Sequence, residues 1–354
     1  MADLVVAGAG MAGLAAAARA RELGADVVVY EKAAEPGGST VLSSCVVWRY
    51  REWETFRREC PGGDPALQRA VWEGLDDALA WLESLGVPVV ERETGNPLTT
   101  GIRFDPRGLI ETLAARAGEM RLGAPLEAIP DGLPVVLATG GFQGDRALVR
   151  EHVTPEADAL VLRANPWSTG DGLRLALARG ASLSVGLDEF YGRNLAAAPR
   201  IAPEDFVPLA QVYARRATVE NERGERHEAR TWSEVDVVQW TARQPGARAW
   251  YTVADEDLGA PVRERTIREV IEVARRAGAP VGRVDGATRV EVVAGITATL
   301  GGIRVDAHGR AADGLWAAGA DVGGVSTGGW ASSLASALVL GRAAAADAVG
   351  RPSV

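Results

Sequence analysis

Near the start of the chain, Gly8-Ala9-Gly10-Met11-Ala12-Gly13 has the GxGxxG spacing between the apolar run Leu4–Ala7 and a stretch of helical composition at residues 14–23. The chemistry that suits this spacing is phosphate binding by backbone. The first glycine permits a tight turn, the second lets main chain approach a pyrophosphate, and the third lets strand and helix pack closely, while the helix N-terminus attracts the anion. Met11 and Ala12 then fall in the phosphate-facing turn. Glu31, with Lys32 behind it, follows a valine-rich strand at residues 26–30, where a carboxylate would accept hydrogen bonds from ribose hydroxyls. A glycine-rich turn with a solvated Glu31 is the plain alternative, and the order of strand, turn, helix, strand and acid favours the dinucleotide.

A second glycine pair follows the acid, in Glu35-Pro36-Gly37-Gly38-Ser39-Thr40. Such a segment can run along a pyrophosphate and a ribityl chain, which a nicotinamide dinucleotide alone would not require; taken by itself it could be an ordinary turn. The elements that must carry these residues are those of an α/β domain. Residues 64–85 repeat apolar side chains at Leu67, Val71, Leu75, Leu79 and Leu82, the spacing of one helix face, and residues 107–117 read as another helix. Residues 134–138 form an apolar strand running into Thr139-Gly140-Gly141, and residues 173–179 a short helix. Residues 314–318 and the small-residue helix at 331–349 return to the character of the start. Between about 188 and 285 tryptophan, tyrosine and paired charges increase. This reads as an inserted α+β cap at 188–285, leaving a discontinuous Rossmann-type α/β domain at 1–187 and 286–354 whose last few residues are a disordered tail.

A chain of 354 residues, 47% hydrophobic and 24% charged, can bury the cores of two domains. Its 42 glycines exceed the usual share of about 7% and lie in short motifs rather than a low-complexity run. A net charge of −9 without a dense Lys/Arg block argues against a nucleic-acid partner. Cys45 and Cys60 lack CxxC spacing, so neither a disulfide framework nor a redox pair is expected, and the three histidines are too scattered for a metal site. No apolar run reaches the roughly 20 residues of a membrane span and no basic leader precedes the first strand, so the expectation is a cytoplasmic protein without a span.

Residues 5–13 with Glu31, residues 37–40, residues 135–142, Thr169-Gly170-Asp171-Gly172 and residues 300–342 resemble, in that order, the fumarate reductase/succinate dehydrogenase flavoprotein family. The likeness is greatest to its soluble branch of tricarballylate dehydrogenase-like and ketosteroid dehydrogenase-like members. The resemblance implies FAD, bound without a covalent link because no histidine stands in a linkage motif. It implies Gly8, Gly10, Gly13 and Glu31 for the ADP half, Gly38, Ser39 and Thr40 for the pyrophosphate and flavin, Leu126 backbone for the adenine, and Ala138, Thr139 and Gly140 against the ADP moiety. Asp171 looks like the family's acid near the flavin chain, with helix capping as its plain role. Asp321, flanked by Gly319 and Ala320, is assigned to the ribityl hydroxyls, and Ser333 and Leu334 to the pyrimidine end of the ring, where a helix N-terminus favours negative charge. Residues 120–134 are shorter than the β-excursion that relatives carry there.

Two departures from the family's pattern bear on the substrate. Ala298 stands where fumarate reductases carry a substrate-binding histidine, and residues 323–330 contain no clamping arginine, so succinate and fumarate are poor candidates. Arg263 is the cap candidate for a proton-delivering arginine, although Arg263, Arg265 and Arg268 also fit a helix with a solvated basic face. Glu228 and Arg230 resemble a proton-delivery pair at altered spacing, against the reading of a surface ion pair. Tyr191 and Tyr251 could serve as phenolic acids of the ketosteroid dehydrogenase kind, against plain packing. The function implied is hydride transfer between flavin and a CH–CH bond beside a carbonyl or carboxylate of a small-molecule substrate. An external electron donor or acceptor is needed because no haem or iron–sulfur cysteine pattern is present. The alternatives are a flavin-binding protein without catalytic cap residues and a flavin-dependent hydroxylase.

Overall fold

Short runs of valine and leucine, too brief to make helices, become the central strands of the first of two units in the computed structural model, which describes residues 2–350. The tail at 351–354 lies outside the described residues. The first unit comprises the chain up to Asp145, Ala164–Glu189 and the chain from Ala298 onward; the second comprises Arg146–Arg163 and Phe190–Thr297.

In the first unit the six-stranded sheet runs, in spatial order, Arg310–Ala312, Leu315–Ala317, Val135–Leu137, Leu4–Ala7, Val27–Tyr30 and Glu119–Arg121. All neighbours are parallel except the first pair. Strands covered on both faces need no polar alternation, and Leu4–Ala7 and Val135–Leu137 are buried throughout. Helix Met11–Glu22 starts directly after Gly10, three residues before the stretch of helical composition, because the glycine turn itself forms its N-cap. It packs on the C-terminal helix Ser333–Ala348, where Gly341 is held so close to the Ala12 carbonyl that a side chain has no room. Helix Pro65–Ser84 is capped by Asp64, which accepts from the Ala66 and Leu67 amides, and buries the expected Leu67, Val71, Leu75, Leu79 and Leu82 face. A three-stranded antiparallel sheet, in the order Val46–Tyr50, Thr99–Phe104, Val89–Glu91, completes the unit. The short segment at 122–134 contains no helix or strand.

The second unit is built on the long strand Ala287–Thr299, paired antiparallel with Arg248–Val253 and Val281–Val284 over its first part. Its far part pairs with Val161–Leu162 and with Phe190–Ala196. The amphipathic helix Ile267–Arg276 opens with a capping box between Thr266 and Glu269 and buries Ile267, Val270, Ile271 and Ala274. This pairing explains why the compact unit ends at 297 rather than at the sequence boundary of 285. Residues 287–297 belong to a strand whose partners lie in the second unit, and residues 146–163 join it through the Val161–Leu162 strand.

Candidate functional site

Gly8 adopts φ 104°, a left-handed value that only glycine holds without strain, and a side chain there or at Gly13 would overlap backbone of Ala138 or of Gly8 itself. Gly10 differs: a Cβ would meet nothing within 4 Å. The turn is closed on the protein side and open on the other. Helix Met11–Glu22 has no side-chain N-cap and no acid in its first turn, so its leading amides are left for an external acceptor. Gly38 faces the same opening, its Cβ position lying 3.4 Å from Gly10 Cα, and the Ser39 hydroxyl accepts from Asn165 Nδ2 at 2.7 Å. These features fit the pyrophosphate of FAD.

Glu31 is buried and its two carboxylate oxygens accept from the Ala9 amide at 2.6 Å and the Ala33 amide at 2.7 Å, which leaves lone pairs for ribose hydroxyls. Lys32 turns to Asp171, 2.9 Å away, and to Thr169 Oγ1. Asp171 is the first residue of helix Asp171–Ala178, whose N-cap is Gly170, so the capping role is not the one it takes. Burial alone would raise its carboxyl, but Lys32 and Arg174 outweigh burial and hold it below the usual range. Asp321, expected at the ribityl hydroxyls, is 2% exposed and aims its carboxylate into the turn after Val135–Leu137. It accepts from the Thr139 amide at 2.5 Å, the Thr139 hydroxyl and the Gly141 amide at 2.9 Å. Burial raises its carboxyl and those donors oppose the shift. Gly140 (φ 97°) sits in that turn, and Gly319 lies against Ala12, its Cβ position 2.9 Å from the Ala12 Cβ, with Ala320 beside it. Ser333 opens the last helix behind the Ser332 cap, with Leu334 next to it, both half-buried. Leu126 lines a groove with Val28 and Tyr30. Sequence reasoning did not find the Asn165–Ser39 contact or the Thr139–Asp321 clamp; the asparagine within Arg163-Ala164-Asn165-Pro166 was the only local signal.

The second unit separates its candidates. Tyr251 is 1% exposed in the core, its hydroxyl accepts from Asn194 Nδ2 at 2.9 Å, and burial pushes the phenol far up, so it packs rather than meeting solvent. Glu228 and Arg230 are exposed and, among the described residues, form no ion pair with each other. What the fold does instead is give the Arg230 amide to Asp236, which also meets His227 and Thr231 and is driven down to about 2 against its burial. Arg263 is not on a helix. It is the first residue of a two-residue turn joining Pro261–Val262 to Arg265–Thr266, at φ 55°, with Arg268 alone of the three arginines in the following helix. Tyr191 lies under the Arg193 guanidinium, 5.0 Å from ring centre to Cζ. Burial would raise its phenol, but Arg193, Arg163 and Arg263 bring it below its ordinary value. Arg163, Arg193 and Glu234 are additions the sequence did not reveal. Glu234 is raised by burial to about 7, with Arg193 pulling the other way. His152 ends helix Arg146–His152.

Among the described residues no helix is long and apolar enough to cross a membrane and no His/Cys/Asp/Glu group could hold a metal; both cysteines are free and buried.

The FAD binding domain family matches residues 3–117 and 127–334, with its break in the shortened segment. An NADH:fumarate oxidoreductase of Klebsiella pneumoniae (strain 342) is 27% identical over 227 residues, 51% of this chain but only 24% of that relative, so the match spans about a quarter of its length. Two solved structures share the fold. The open conformation of a flavocytochrome c3 fumarate reductase has a TM-score of 0.72 at 21% identity over 98% of this chain and 78% of its own. A 3-ketosteroid-Δ4-(5α)-dehydrogenase from Rhodococcus jostii RHA1 has a TM-score of 0.71 at 20% identity over 99% and 97%.

Proposed function

This chain belongs to the FAD binding domain family, and from that premise we propose that it is an oxidoreductase acting on a CH–CH bond beside a carbonyl or carboxylate of a small organic molecule. The Gly8–Gly13 turn and the leading amides of helix Met11–Glu22 would hold the pyrophosphate, and Glu31 the ribose. Asp321 acts indirectly: by fixing Thr139 and Gly141 it keeps that turn in shape. Ser333 and Leu334 bring helix-terminal amides that suit the electron-rich end of the ring. The absence of a histidine in a linkage motif supports binding without a covalent bond. When bound, the flavin supplies a two-electron centre able to exchange hydride with carbon.

The residues of the second unit handle the proton at the neighbouring carbon. Tyr191 is the donor or acceptor, and the turn-borne Arg263 carries the proton onward. The observation that carries this reading is the contrast between the two tyrosines: Tyr251 is locked in the core, whereas Tyr191 sits among cations that stabilise its phenolate. Anaerobic photoreduction of the holoprotein followed by a panel of unsaturated acids and ketones tests it. Reoxidation by at least one of them, lost by about a hundredfold in Tyr191→Phe, is the expected result. Reoxidation by none of them favours a flavin-binding protein without turnover, the reading supported by Ala298 and by the exposed Glu228 and Arg230.

A further inference from the structure

We propose that Arg163 and Arg193, whose strands flank Gly295 in the second unit, form a carboxylate-binding site that selects an unsaturated monocarboxylate over a neutral ketone as substrate. The inference rests on the oxidoreductase reading and gives it a substrate class.

Strand pairing creates the site. Val161 lies opposite Gly295 and Leu162 opposite Ile296, so Arg163 leaves its strand at the level where Phe190–Ala196 also pairs with Ala287–Thr299. Gly295 has no side chain there, and the Arg163 stem fills the space: a Cβ on Gly295 would lie 2.9 Å from Arg163 Cδ and 3.1 Å from the Arg193 carbonyl oxygen. Arg163 Nη1 is anchored on Thr297 Oγ1 at 2.7 Å, and its Nε is buried without a partner. Arg193 is anchored on the carbonyls of Gly192 and Ser233 and lies over the Tyr191 ring. Tyr191 and Arg193, two apart on one strand, share a face.

The electrostatics ask for an anion. Neither Arg163, Arg193 nor Arg263 makes an ion pair among the described residues. Arg163 is lowered by burial first and, against the opposing pull of Tyr191, by the like charges of Arg193 and Arg263; Arg263 is lowered by burial and then by Arg193, with Tyr191 and Glu234 opposing. Glu234, the carboxylate that interacts with both Arg193 and Arg263, is itself raised by burial and so neutralises them incompletely. Clustered cations that outnumber their counterions are costly unless a ligand supplies the balance, and a guanidinium fork matches a carboxylate in shape and charge.

Calorimetric titration of the holoprotein with crotonate and cinnamate, each against its amide, tests the proposal. At least one acid is expected to bind about tenfold or more tightly than its amide. That preference should fall about tenfold in Arg163→Gln and in Arg193→Gln. Gly295→Ala, which removes no charge but displaces the Arg163 stem, should lose it as well while flavin absorbance and melting temperature hold. Equal binding of acid and amide, or a preference that survives in Arg163→Gln and Gly295→Ala, overturns the proposal. The two readings fail separately. Reduced flavin that reacts with neutral enones while acids show no preference sinks only the carboxylate site; an intact acid preference in a protein that no acceptor reoxidises sinks only the oxidoreductase.

Discussion

Glu31 and Asp321 in the first unit and Arg163 and Arg193 in the second are all charged groups drawn out of water, and they differ in what meets them. Each acid is met by fixed backbone amides, Ala9 and Ala33 for Glu31, Thr139 and Gly141 for Asp321. The arginines meet carbonyls, one hydroxyl and the rings of Phe206 and Tyr191, with no carboxylate in an ion pair. A charge whose hydrogen bonds are complete is part of the scaffold, whereas charges of one sign held together without a counterion describe a place for something else. On this view the first unit is finished apart from its glycine opening, and the second is electrostatically incomplete.

The comparison breaks most readily at the glycines. Gly13→Ala sets a Cβ against the Gly8 carbonyl, with Val6 Cγ1 at 3.2 Å, so backbone itself must move. The expected loss is about 3 kcal/mol of stability together with retained FAD, read by urea denaturation and by flavin absorbance of the purified protein. Gly10→Ala is the control, since its Cβ points into open space. It should cost about 1 kcal/mol or less yet still weaken FAD binding. If Gly10→Ala binds FAD as tightly as the parent, the opening at Gly10 is not where the pyrophosphate lies.

Asp321→Asn sharpens the same side of the comparison. An amide keeps the shape but offers one acceptor oxygen to a turn that presents both the Thr139 and Gly141 N–H groups, so one donor is orphaned. A loss of about 2 kcal/mol is expected in denaturant titration. A variant as stable as the parent would mean that the clamp is dispensable and that the carboxylate serves the cofactor directly.

The difference between the units also explains what could be read in advance. The Gly8–Gly13 turn, Glu31 and the Leu67 to Leu82 helix face are local patterns, set by spacing along one element, and they stand where spacing put them. Asp321 was legible as an acid for the ribityl hydroxyls but not as a clamp, because its partner Thr139 is 182 residues away. The arginine pair was illegible for the same reason. Arg163 and Arg193 are joined only by strands flanking Gly295, and nothing near either residue announces that pairing. Tyr191 and Tyr251 look alike as letters, and only the face of the sheet each occupies separates a core phenol from one beside cations. Arg263 misled through composition: three arginines at 263, 265 and 268 suit a helix, but the chain turns at Arg263 in a left-handed conformation that a glycine would have advertised.

Glu234 offers the finest discrimination, because it decides how incomplete the second unit is. Its acid is held at about 7 by burial, with Arg193 and the Arg215 and Ala214 amides opposing and Asp236 adding to the rise, against 4.5 when unburied. The folded state therefore prefers the protonated form. Its contribution to stability is fully present below pH 4.5 and is lost as pH rises through about 7. The shift corresponds to at most about 3 kcal/mol, which partial exposure reduces to about 1. The stability of the parent relative to Glu234→Gln, measured by denaturation from pH 4 to 9, should accordingly fall by about 1 kcal/mol between pH 5 and 8 and then level off. In an Arg193→Gln background the fall should steepen, since the leading group that favours the charged form is gone. A difference independent of pH would make Glu234 ionised throughout, a standing counterion for Arg193, and the second unit would then be as electrostatically complete as the first.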